Sequence, residues 1–139
     1  MEAFAAYGHA IVALAASGAL GLVISLLTGM QKVKLGLPPG ASPDPDYANP
    51  AYRWHRAQLN MAETMGFFTA VTVAAVLAGA SPFWVNLLAA LFFVSRAILA
   101  VVHVTGVGKP DMSLRSFLYG LGWAICILLA ILAVIGALT

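Results

Sequence analysis

Residues 4–28 read FAAYGHAIVALAASGALGLVISLLT, twenty-five consecutive positions without an Asp, Glu, Lys or Arg. A helix needs about 20 mostly apolar residues to cross the hydrocarbon core of a bilayer, and this run exceeds that length. It is also too long for the apolar region of a signal peptide, and it follows Glu2 rather than a basic leader, so it reads as a retained span. Three further runs of similar character follow. The predicted helices cover residues 4–29, 50–80, 82–105 and 113–138, in one domain spanning residues 1–139. The whole composition agrees: 62% of the 139 residues are hydrophobic and 9% are charged. Mean hydropathy is +0.95. A soluble domain covers its surface with far more charge, so the fold class is an all-α membrane bundle of four transmembrane helices. A net charge of +2 without a basic stripe excludes a nucleic-acid partner. The single cysteine excludes an intramolecular disulfide or a cysteine-based zinc cluster.

The connections are unequal. The second and third runs meet at Gly79–Pro82, a tight turn, whereas residues 31–49 form a long polar stretch broken by Pro38, Pro39, Gly40, Pro43 and Pro45. Pro50 and Pro82 suit first-turn positions, and Ser81 and Ser113 suit N-caps. Lys32, Lys34, Arg53 and Arg56 flank the long first connection, and Lys109 and Arg115 flank the third. The positive-inside rule then puts both connections in the cytoplasm and both termini on the other side. Small residues in the first and fourth spans, such as Gly18, Gly21, Gly120 and Gly122, suit close helix packing within or between subunits.

The start of the second span carries the chemistry: Asn49-Pro-Ala-Tyr-Arg53-Trp-His-Arg56-Ala-Gln58-Leu-Asn60-Met-Ala-Glu63. Each helical residue turns about 100°, so Arg53, Arg56, Asn60 and Glu63 share one narrow arc and Gln58 points elsewhere. Two cations, an amide and a carboxylate on one stripe suit a zwitterionic ligand with several carboxylates and an amine, because Arg takes carboxylates bidentately. The plainer reading is a buried ion-pair network between helices, with Glu63 on Arg53 or Arg56. Charge in a membrane faces a bundle interior in either case.

A second cluster opens the fourth span, where Arg115, Ser116 and Tyr119 fall within about a quarter turn. A guanidinium, a hydroxyl and a phenol together can lower the pKa of a thiol and hold its thiolate. Taken alone, this cluster favours the plainer reading, in which Arg115 snorkels to lipid phosphates and Tyr119 joins the aromatic belt. In the third span, Arg96 lies deep and suits a structural role against Glu63 or helix carbonyls, while His103 could donate to a ligand or simply pack. No metal site is proposed, because His9 and His55 lack ligand-spaced partners. Cys126 sits among apolar residues as an inert packing thiol, so any attacking thiol must come from a cofactor.

Taken together, these stretches resemble the MAPEG family, the membrane-associated proteins of eicosanoid and glutathione metabolism. Arg56-Ala-Gln-Leu-Asn60-Met-Ala-Glu63 is similar to the family signature Arg-Ala-(His/Gln)-x-Asn-x-x-Glu, and Arg115-Ser116-x-x-Tyr119 is similar to the opening of the fourth helix in prostaglandin E synthase-like members. The resemblance implies a homotrimer that binds glutathione between neighbouring subunits at the cytoplasmic side. It assigns Arg53, Arg56, Gln58, Asn60 and Glu63 to the glutathione site. Lys32 falls where relatives tend to carry an arginine for a glutathione carboxylate, and His103 where several carry a tyrosine. Arg115 would stabilise the thiolate with Ser116 beside it, and Tyr119 would line the site. Leu99 stands where some enzymes have a polar or aromatic residue, which speaks against a prostaglandin-type isomerase.

The function implied is a glutathione transferase of the microsomal type, or a peroxidase, acting on a lipophilic substrate that arrives through the bilayer, and the short chain suggests a bacterial inner membrane. Two alternatives are a non-catalytic lipid-binding relative and a small multidrug transporter. Retention of both polar clusters speaks against the first. The absence of an acidic residue in the first span beyond Glu2 speaks against the second.

Overall fold

The computed structural model describes residues 2–108 and 114–139. One turn of helix, α1 (Glu2–Ala5), precedes four long helices: α2 (Gly8–Lys34), α3 (Pro50–Leu77), α4 (Pro82–Thr105) and α5 (Leu114–Leu138). Each of the four is long and apolar enough to cross a membrane. Side chains such as Leu22, Leu26, Ile127 and Val134 are exposed around the bundle. That outward apolar surface matches a lipid solvent, in which every backbone group must be bonded within its own helix.

The helix ends follow local chemistry. Asn49 caps α3, its side chain accepting from the Ala51 N–H at 2.9 Å, with Pro50 in the first turn. At the other end of α3, the Gly79 N–H donates to Val76 O and the Ala80 N–H to Ala75 O. Gly79 has φ +65°, so this is a Schellman ending, and it stops α3 at Leu77 rather than at residue 80. Ser81 precedes α4 as expected, but its side chain makes no capping hydrogen bond. Lys109 and the expected cap Ser113 lie outside the described residues.

The first span differs most from expectation. It starts at Gly8, because the chain breaks after α1 and Tyr7 turns inward to donate its hydroxyl to Ala80 O. The Asn86 side chain bridges the break, accepting from Ala10 N–H at 2.9 Å and donating to Ala6 O at 2.7 Å. The span continues to Lys34, past the predicted residue 29. Apolar length sets where a bilayer ends, not where a helix ends. The last turn carries Lys32 and Lys34, cations that suit the negative end of the helix dipole.

α3 and α4 each pack against the other three long helices, so they form the short diagonal of the bundle. α2 and α5 stand at opposite corners. The stacked rings of Phe68 and Phe92, 3.8 Å apart, mark the centre of the diagonal. This arrangement opens a crevice between α3, α4 and α5 that α2 does not reach.

Candidate functional site

The crevice widens, at the end of the bundle next to the α2–α3 loop, into a cavity of about 370 Å³ lined by Tyr47, Arg56, Asn60, Glu63, His103, Arg115, Ser116 and Tyr119. Small-molecule sites begin near ~300 Å³, so the volume suits a ligand of tripeptide size. Helix periodicity explains the convergence. Arg56, Asn60 and Glu63 lie three to four residues apart on α3, and Arg115, Ser116 and Tyr119 share the first turns of α5. Both stripes face inward across the crevice, with His103 of α4 at its floor.

Asn60 and His103 are fixed by each other. The Asn60 amide nitrogen donates to Arg56 O at 2.9 Å and lies 3.1 Å from His103 Nε2. With that nitrogen as donor, Nε2 accepts, and the ring proton sits on Nδ1. His103 Nδ1 is buried and has no hydrogen-bond partner among the described residues, and the same holds for Arg56 Nε. The Glu63 carboxylate accepts from the Tyr119 hydroxyl at 3.1 Å, tying α3 to α5 across the cavity. Among the described residues it makes no ion pair with Arg53 or Arg56, so the ion-pair network expected as the plainer reading is not formed there. Arg115 is buried at 7% exposure and lies over the ring of Tyr47, 4.3 Å from its centroid.

Three residues assigned to the site by resemblance are not brought to it. Arg53 shares the α3 arc, but its side chain turns toward backbone oxygens: Nη1 donates to Tyr47 O at 2.7 Å and to Ala48 O at 3.1 Å, and Nε donates to Val104 O at 3.1 Å. Gln58 faces the other way, as its angle on the helix predicts, and donates to Ser25 Oγ on α2 at 3.1 Å. Lys32 is on α2, at the corner opposite α5, and does not line the cavity.

Tyr47 was not singled out by sequence reasoning, because it lies in a polar, proline-rich stretch. A signal was present in the spacing of Asp46 and Asn49 before Pro50, an ordered turn running into a helix cap rather than a slack linker. A further lining lies deeper. Phe67 and Trp123, with ring centroids 6.0 Å apart, continue the crevice from Tyr119, whose ring is 6.3 Å from that of Trp123. They open an apolar pocket of about 170 Å³ with Thr64, Val71, Cys126, Ile127 and Ala130.

Arg96 takes the structural role. It is 1% exposed, its guanidinium donates to Leu118 O and Tyr119 O on α5, and it lies 5.5 Å from the centroid of the Phe92 ring. Gly122 makes this possible, since a Cβ there would collide with the guanidinium. No group of three or more His, Cys, Asp or Glu residues with metal-binding geometry occurs among the described residues.

The cavity presents two guanidiniums, a carboxylate, an amide and hydroxyls, and the apolar pocket beside it presents aromatic and aliphatic surface. The donor set suits glutathione: Arg56 Nε is a buried donor still open to a carboxylate, and Glu63 is exposed to the cavity and open to an ammonium. No curated protein matches the chain significantly. A model of one family does, over residues 10–135, which takes in all four spans and both polar stripes. The chain belongs to the MAPEG family, whose members include glutathione transferases and peroxidases as well as non-catalytic proteins.

Proposed function

We propose that this integral membrane protein is a glutathione-dependent transferase, with peroxidase activity as a second use of the same site, acting on lipophilic electrophiles. The observation that carries the reading is a cationic, hydrogen-bonding cavity with a separate apolar pocket beside it between α3 and α5. A water-soluble thiol and a membrane-dissolved electrophile partition into different phases, and neighbouring polar and apolar sites would bring them together. Holding two reactants in one place removes much of the entropic barrier to their reaction.

Arg56 and Asn60 bind the carboxylate and backbone groups of glutathione, and Glu63 takes its ammonium. Bound glutathione would supply a thiol that loses its proton to water. The thiolate would displace a leaving group such as halide from carbon, or break a peroxide O–O bond to release an alcohol and a glutathione sulfenic acid that a second glutathione converts to disulfide and water. Arg115 holds the negative charge on sulfur once the proton has left, with the Ser116 hydroxyl donating beside it. His103 offers its Nδ1–H at the floor, and Tyr119 lines the boundary with the apolar pocket. Arg53 and Gln58 serve from outside the cavity, Arg53 by holding the loop and Gln58 by holding α2 to α3. Lys32, which does not line the cavity of its own subunit, acts on the cavity of a neighbouring subunit in a homotrimer. The distribution of Lys and Arg supports a site facing the cytoplasm, with both termini on the other side.

Arg115→Ala is expected to cut conjugation of glutathione to a hydrophobic aryl halide by roughly a hundredfold or more, the scale seen when one preorganised charge-stabilising group is removed. Size-exclusion chromatography should show assembly unchanged. Wild-type turnover in that variant would take Arg115 out of the mechanism. Glutathione uptake without conjugation or peroxide reduction by the wild-type protein would make it a binding protein instead.

A further inference from the structure

The α2–α3 loop is a built wall of the cavity. Pro43 is buried within it. The Asp46 carboxylate accepts from the Ala48 N–H at 2.9 Å, and Asp46 O accepts from the Asn49 N–H at 3.0 Å. These bonds lead the chain directly into the Asn49 cap of α3. Arg53, one turn into α3, then reaches back to Tyr47 O and Ala48 O while also bonding Val104 O near the end of α4. Its stem runs against Gly106, where a Cβ would come within 3.0 Å of Arg53 Cδ. Gly106 also has φ +70°, so both space and backbone conformation call for glycine there.

The clamp places one side chain. The Tyr47 ring lies near-parallel to His103, centroids 6.5 Å apart at 15°, and meets Tyr52 edge-on at 5.2 Å and 83°. Arg115 lies over the same ring, 4.3 Å from its centroid. That is inside the ~6 Å range of a cation–π contact. Arginine carries about 2 kcal/mol of rotamer entropy, and a ring stacked on the guanidinium restricts that freedom.

We propose that Tyr47 is a positioning residue for Arg115, held in place by Arg53, so that the loop sets how strongly Arg115 acts on an anion in the cavity. The choice of thiolate as that anion rests on the glutathione reading; the positioning does not. The order of Arg115 is what makes its field effective, because charge stabilisation depends on groups that need no rearrangement.

The test uses the full-length protein in detergent, as wild type, Tyr47→Phe, Tyr47→Leu and Tyr47→Ala, with melting temperature recorded for each. The first readout is the pH midpoint of the ultraviolet thiolate band of added glutathione. Tyr47→Phe keeps the ring and is expected to keep the wild-type midpoint. Tyr47→Ala and Tyr47→Leu are expected to raise it by about one pH unit, which is tenfold less thiolate at a pH below the midpoint. The second readout needs no glutathione: the order of the Arg115 Nε–H, from 15N relaxation, should fall in the Ala and Leu variants and stay in the Phe variant. Folded Ala and Leu variants with wild-type Arg115 order overturn the positioning role, as does a wild-type midpoint in both. Order that falls as expected in a protein that develops no thiolate band sustains the positioning role and removes glutathione alone.

Discussion

The two ends of this bundle use polar residues in opposite ways. At the end near the α3–α4 turn, Tyr7 and Asn86 spend their polar groups on specific backbone partners. The Tyr7 hydroxyl goes to Ala80 O, and the Asn86 amide accepts from Ala10 N–H and donates to Ala6 O. At the loop end, Arg56 Nε and His103 Nδ1 are buried without hydrogen-bond partners among the described residues, and they border a cavity. An unpaired buried donor costs about 1–3 kcal/mol, so a folded chain does not accumulate such groups without reason. Closed polar networks hold helices together; open ones at a cavity have capacity left for a ligand. Arg96 lies between the two cases. It donates to α5 carbonyls yet has Nε and Nη1 unpartnered among the described residues, and it is sealed from the cavity by packing rather than exposed to it.

That contrast can be broken by substitutions that separate stability from binding. The largest effect is expected at the helix contact beneath the site. Gly122→Leu drives a side chain into the Arg96 guanidinium and should destabilise the protein by about 3 kcal/mol, read as a fall in thermal midpoint. A variant with wild-type stability would show that α5 can shift freely at this point. Next, Asn86→Ala orphans Ala10 N–H and Ala6 O together and should cost about 2 kcal/mol. Glutathione affinity per folded molecule should be unchanged, since Asn86 lies at the far end. Arg56→Leu should do the reverse, weakening glutathione binding by roughly tenfold in calorimetry while leaving the thermal midpoint of the ligand-free protein near the wild-type value. If Arg56→Leu unfolds the protein and Asn86→Ala does not, the assignment of closed and open ends is inverted. The smallest effect belongs to Tyr7→Phe, which removes one hydrogen bond and should cost about 1 kcal/mol.

Much of the fold was legible because lipid imposes a simple rule on sequence. Four long runs of apolar residues had to become four helices, and proline-rich connections had to lie outside them. The ends were less legible where a tertiary partner intervened. The first span begins at Gly8 because Tyr7 and Asn86 find partners across the bundle, and no local pattern announces a bond over more than seventy residues. It runs on to Lys34 because a helix leaving the bilayer need not stop where apolarity does. In the site, the α3 and α5 stripes followed from helical spacing, and the structure puts Arg56, Asn60, Glu63, Arg115, Ser116 and Tyr119 around one cavity. Arg53 shared that spacing and yet went elsewhere, since its side chain is long enough to choose between the cavity and three nearby carbonyls.

The sequence by itself determined the solvent, the number of spans and the faces on which charge gathers, because each depends on composition and on a period of 3.6 residues. Only the tertiary structure decided which faces meet. It set α3 and α4 on the short diagonal, put α2 and α5 at opposite corners, and folded the loop so that Tyr47 covers Arg115. Those choices depend on contacts between residues far apart in the chain, and helical periodicity carries no information about which neighbour a face will find.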